Sequence, residues 1–262
     1  MASDIIFDPA EIRRQCRAGS FSGYTAGHAP GRVQANLMIV PQAQAYDFAV
    51  FCQRNPKPCP VLDITDPGDP EPRAIAPGAD IRYDLPRYRV FRHGELVDEP
   101  TDITDLWRDD LVGFLIGCSY TFEDAMVAAG LPIRHVEEGV NTAMYRTGRD
   151  CAVSGGFKGP MVVSMRPMTP EQAAKAVEVT RPYVRAHGAP VHVGDPAALG
   201  IKDIDNPDYG DAVTIKPGEV PVFWACGVTP QTVVLNAKPE IAISHAPGHM
   251  FVADIESTSL LD

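Results

Sequence analysis

The stretch VPVFWACGVTPQTVV, residues Val220–Val234, decides how this chain is read. Val220 to Ala225 is an apolar run of strand length, Cys226 sits in a tight turn, and Thr229-Pro230 opens a helix. Threonine is a competent N-cap. Proline suits the first helical position because its missing N–H would have no partner there. A thiol is thereby set where a strand ends and a helix's free N–H groups begin. In an open α/β sheet that is the usual place for ligands and chemistry. The stretch VGFLIGCSYTFEDA, residues Val112–Ala125, has the same design with Cys118 and Ser119 at the turn.

Two further units repeat the alternation. Val33–Val40 reads as a strand and Val61–Thr65 as a short buried strand. Between them Gln42–Arg54 reads as a helix, with Ala45, Phe48, Ala49 and Cys52 at helical spacing. Met161–Met165, the helix Glu171–His187 and Val191–Val193 form the second unit. Each β-α-β unit predicts a parallel strand pair with a right-handed crossover. The predicted fold class is therefore α/β, a mostly parallel sheet flanked by helices in three layers. A hairpin at His93-Gly94 and the character of segment 131–215 add a second, smaller α+β lobe. The domain expectation is residues 1–130 with 216–262 as the main body and 131–215 as the lobe.

The 262 residues are 45% hydrophobic with a net charge of −11, which excludes general binding to nucleic acid or anionic membranes. No run approaches the ~20 apolar residues of a membrane helix. The stretch MASDIIFDPAEIRRQCRAGSF lacks the apolar core of a signal peptide, and the six cysteines lack CxxC spacing. The expectation is a cytoplasmic protein with reduced thiols. A homo-oligomer is left open.

Chemistry is expected where strands end and helices begin. Cys118 and Cys226 are candidate nucleophiles, with the plain alternative that both only shape turns. Ser119 and Thr229 offer hydroxyls beside helix N–H groups. Arg166 ends an apolar strand and suits a carboxylate clamp, or equally a structural ion pair. Arg149 and Lys158 sit on a polar glycine-rich stretch, residues 147–159, as weaker anion-binding candidates. His245 and His249 are candidate acids or bases, since imidazole titrates near neutral pH. Pro247-Gly248 between them breaks the helical i, i+4 geometry a zinc pair needs, so no metal is assigned. No cofactor is called for.

Five ordered motifs carry a resemblance. They are GYTAGHAPG with VQANL (residues 23–37), FLIGCSYTFE (114–123), VSMRP (163–167), VFWACGVTPQ (222–231) and HAPGHM (245–250). Together they resemble the D-glutamate cyclase family, whose bacterial members are called hydro-lyases. The resemblance implies a lyase that removes water, with D-glutamate closing to 5-oxo-D-proline as the named activity. It also implies an α/β fold with a smaller α+β lobe and a small carboxylate or amino acid as substrate. A non-catalytic carboxylate-binding protein and a metal-assisted hydratase are the alternatives.

Overall fold

A computed structural model describes residues 5–261. In chain order its elements are α1 (Pro9–Arg17), β1 (Arg32–Pro41), α2 (Gln42–Arg54), β2 (Val61–Ile64), β3 (Tyr88–Arg92), β4 (Glu95–Asp98), β5 (Leu111–Gly117), α3 (Glu123–Ala128) and α4 (Arg134–Glu138). There follow β6 (Met144–Asp150), β7 (Pro160–Met168), α5 (Pro170–Thr180), β8 (His192–Val193), β9 (Val220–Ala225), α6 (Thr229–Ala237), β10 (Ala242–His245) and β11 (Phe251–Glu256). Short 3-10 turns join several of them. No helix among the described residues is long and apolar enough to cross a membrane.

The strands build two sheets. The larger has seven strands in the order β2-β5-β1-β10-β3-β4, with β11 also paired to β1; the smaller is β6-β7-β9-β8. Every pairing among the described strands is antiparallel. The expected mostly parallel, three-layer α/β sheet is therefore not what this chain forms. The crossovers do exist, but each is split. β1 and β2 point the same way across α2, and β5 is inserted antiparallel between them. β7 and β8 likewise point the same way, with β9 antiparallel between them. A β-α-β pattern in sequence fixes strand direction and leaves open which strand fills the gap. The segment Val220–Ala225, expected in the main body, is a central strand of the smaller sheet.

Strand periodicity explains the burial. Val33, Ala35, Leu37 and Ile39 on one face of β1 join the largest apolar cluster, which reaches Trp224 of β9 and Met168 of β7. Met38 and Val40 on the other face pack under α2 through Phe48 and Phe51. Gln34 and Asn36, of the same parity as Met38, are also buried. Two amides inside an apolar strand need polar company.

The flank of β1 is interrupted once. Ser244 of β10 pairs with Met38, and Phe251 of β11 with Ala35, so residues 246–250 loop out between them. This break in the ladder is where the candidate site forms.

Candidate active site

The smaller sheet turns one face of β7 toward the larger sheet. Arg166 lies on that face with no exposed surface. Its Nε and Nη2 both donate to Glu123 Oε1, at 2.9 and 2.5 Å. Nη2 also donates to Ser119 Oγ at 2.9 Å, and Nη1 to Ser164 Oγ at 3.3 Å. The guanidinium lies over the Phe122 and Trp224 rings, 5.7 and 5.3 Å from their centroids. His135 Nε2 is 3.3 Å from the same Glu123 oxygen, within ion-pair reach but without hydrogen-bond alignment. Burial pushes the Glu123 carboxyl up, but His135 and Arg166 outweigh it and hold its pKa below the ordinary value. A buried charge needs such pairing, and here the pair also fixes the two serine hydroxyls.

Those serines line a small, mostly apolar cavity of about 20 Å³, whose wall also includes Asn36, Cys118, Tyr120, Cys226 and His245. That volume suits one water, which needs roughly 10–15 Å³ and two to four polar neighbours. His245 stands at the break in the ladder. Its ring takes the place a strand partner of Leu37 would hold: Nδ1 is 3.1 Å from the Leu37 N–H and 3.2 Å from the Leu37 carbonyl. Either tautomer therefore has a backbone partner at Nδ1. With Nδ1–H donating to the carbonyl, Nε2 is a base. With Nδ1 accepting from the N–H, Nε2–H is an acid. Nε2 itself is buried and has no hydrogen-bond partner among the described residues. Burial lowers the His245 pKa to about 4, so the ring is neutral at physiological pH. Gln231 on α6 holds the His245 carbonyl through its Nε2 at 2.9 Å.

A second, open pocket of about 450 Å³ lies on the other side of the 245–249 turn, bordered by Tyr24, Arg87, Arg89, Asn141, Asp211 and His249, among others. Asn141 forms the wall between the two. Its Nδ2 donates to the Pro247 carbonyl at 3.0 Å, and its Oδ1 accepts from the Tyr120 hydroxyl at 3.2 Å. Gly248 must be glycine: its φ is +84°, and a Cβ there would stand 2.4 Å from Asn141 Oδ1. Gly227 is tight in the same way, with a Cβ placed 2.0 Å from Asn36 Nδ2.

The structure gathers four of the nine residues singled out in the sequence into one cavity and places the other five outside it. Cys118, Ser119, Cys226 and His245 share the inner cavity. Burial raises the Cys118 thiol pKa well above its ordinary value and pushes Cys226 to about 11. Both are therefore thiols at neutral pH, and poor nucleophiles. His249 faces the outer pocket, its Nδ1 3.0 Å from the Pro247 carbonyl, and burial lowers its pKa too. Arg166 lies behind the inner cavity and reaches it through the two serines. Thr229 is fully buried and structural: its hydroxyl donates to the Cys226 carbonyl at 2.7 Å and accepts from the Val162 N–H at 3.0 Å. Arg149 and Lys158 are exposed and border neither pocket. Glu123, Asn36, Tyr120, Asn141, Ser164 and Gln231 were not anticipated. The buried amide in the apolar strand Val33–Val40 was the available signal for Asn36.

The geometry defines a class of α+β protein with two antiparallel sheets and a water-sized cavity, reached by two serines, an asparagine and a histidine, where they meet. Comparison with known proteins then fixes the family. The family model described as D-glutamate cyclase matches residues 112–254. A "Putative hydro-lyase" from Stutzerimonas stutzeri is 59% identical over 252 residues, covering 96% of this chain and 95% of that one. A protein of the same description from Rubrobacter xylanophilus is 60% identical over 245 residues, 94% and 95% of the two chains. "Putative hydro-lyase YcsI" of Bacillus subtilis is 54% identical over 252 residues, 96% and 98% of the two. The chain belongs to the D-glutamate cyclase family. Among solved structures, a nitrogen repressor-like protein from Methanococcus jannaschii overlays with a TM-score of 0.35 at 11% identity, covering 90% of this chain and 91% of that chain. No shared fold follows at that level.

Proposed function

We propose that this protein is a hydro-lyase acting on a small carboxylate or amino acid, with closure of D-glutamate to 5-oxo-D-proline as the candidate reaction. One observation carries the reading: His245 lines a cavity the size of one water, and its buried Nε2 has no hydrogen-bond partner among the described residues. A reaction that expels water needs a proton acceptor, a proton donor and a place for the departing oxygen. The two tautomers of His245 provide the first two, and the cavity provides the third.

In the candidate reaction the substrate nitrogen forms a bond to the distal carboxyl carbon, and one C–O bond of that carboxyl breaks. The nitrogen loses two protons, and the same number leaves with the oxygen as water, so the net charge of the organic acid is unchanged. His245 moves protons through Nε2 while Leu37 accommodates either tautomer. The Ser119 and Ser164 hydroxyls, held by Arg166, face the tetrahedral oxygen. Cys118 and Cys226 serve as walls. The test is to incubate the protein with D- and L-amino acids and hydroxy acids and follow the loss of one water by mass spectrometry. Loss of water from at least one acid supports the reading. A panel from which none loses water favours a carboxylate-binding protein without turnover.

A further inference from the structure

We propose that Arg87 anchors a carboxylate group of the substrate in the outer pocket, with Asp211 as the counter-charge for the substrate's ammonium group. This rests on the reading of the protein as a lyase of small acids.

The argument starts from charge. Arg87 is half-buried, and among the described residues its guanidinium makes no hydrogen bond or ion pair. Every other buried or half-buried arginine among the described residues has a partner for its guanidinium. The chain carries 34 acidic residues and a net charge of −11, so anions to pair with Arg87 are not scarce. A partly desolvated cation left without one is the expected mark of a site for an external anion. The neighbouring cation does not compete: Arg89 is paired with Glu99 at 2.6 Å.

Position supports the assignment. The Arg87 carbonyl accepts the Ala246 N–H at 2.9 Å, which ties it to the turn that follows His245. Arg87 opposes protonation of His249, adding to the larger effect of burial, so its charge is felt across the pocket. Asp211 borders the same pocket and is fixed by accepting the Asn141 N–H at 2.8 Å. The volume of about 450 Å³ falls in the range of small-molecule sites. An amino acid held by its carboxylate on Arg87 and its ammonium near Asp211 has the Asn141 wall, and the inner cavity behind it, beside its remaining atoms.

The experiment measures KM and kcat for turned-over acids, and binding of D-glutamate, L-glutamate and glutarate by calorimetry. It uses wild type, Arg87→Gln, Asp211→Asn and, as a control, Arg185→Gln at an exposed arginine bordering neither pocket. Circular dichroism verifies each fold. Arg87→Gln is expected to raise KM or Kd by about tenfold to a hundredfold, the worth of a charged hydrogen-bonded contact, with a much smaller change in kcat. Asp211→Asn is expected to weaken the amino acids and leave glutarate unchanged. Arg185→Gln is expected to match wild type. KM and Kd within twofold of wild type for Arg87→Gln would overturn the anchor while turnover by wild type left the lyase reading standing. Binding that needs Arg87, with no acid turned over, would support the anchor and sink the lyase reading. Failure of wild type to bind any of the three acids would overturn the anchor.

Discussion

Glu123→Gln tests how the site is held together. Arg166 is fully buried and Glu123 nearly so, and two N–H groups of the guanidinium meet one carboxylate oxygen at 2.9 and 2.5 Å. The desolvation of both charges is already part of folding, so removing one partner leaves an uncompensated buried cation. Breaking such a pair costs about 3–5 kcal/mol. Glutamine keeps the shape and one accepting oxygen, which places the expected loss near the lower end, about 3 kcal/mol. For a chain of this size that is roughly 6–12 °C in melting temperature. Turnover is expected to fall as well at temperatures where the variant is folded, because Ser119 and Ser164 lose their anchor. The assay is urea unfolding in a double-mutant cycle with Arg166→Met. The double variant removes both charges and leaves an apolar chain against Phe122 and Trp224, so it is expected to be more stable than the two single losses sum to, by at least about 2 kcal/mol. Single effects that add within about 0.5 kcal/mol would refute the reasoning.

Four other outcomes follow from the same geometry. His245 titrates at about 4, so kcat/KM is expected to stay level from pH 8 to about 5 and to fall only below that; an acid limb centred near 6.5 contradicts the assignment. Burial holds His187 at about 4 as well, against 6.5 when unfolded, so above 6.5 neither state binds the proton and between 6.5 and 4 only the unfolded chain does. Stability is therefore expected to drop as pH falls through that window, by up to about 3 kcal/mol per histidine, and His187→Gln should lessen the drop seen by urea unfolding at pH 7 and 4.5. Cys118→Ser and Cys226→Ala are expected to keep turnover within tenfold, and loss of all turnover in a folded variant would restore thiol chemistry. Gly248→Ala forces a side chain into positive φ against Asn141, and a cost of at least about 1–2 kcal/mol is expected in urea unfolding; unchanged stability would show that the wall is soft.

The elements were legible where periodicity was strong. The strand at 220–225, the helix from Thr229 and the strand–helix unit from Val33 to Arg54 stand where the sequence puts them. Their pairing was not legible. Nothing in Val33–Thr65 reveals that Leu111–Gly117, far along the chain, slots between the two strands. The site was half legible: turns rich in Gly, Cys and Ser marked the inner cavity. Glu123 was not legible as a site residue, because its partner Arg166 lies 43 residues further along the chain, on the smaller sheet. Arg166 in turn read equally as a carboxylate clamp or a structural ion pair, and only the structure shows its N–H groups already used by Glu123 and two serines. Arg87 carried no motif at all; its interest comes from the partner it lacks.

The central claim is that His245 moves the protons of a dehydration. The most direct test compares wild type with His245→Gln, both shown folded by circular dichroism, on an acid that wild type dehydrates, counting product by mass spectrometry. The account predicts a loss of turnover of about a hundredfold or more, the usual contribution of a general acid–base. A folded His245→Gln protein that expels water within a few-fold of the wild-type rate would contradict it.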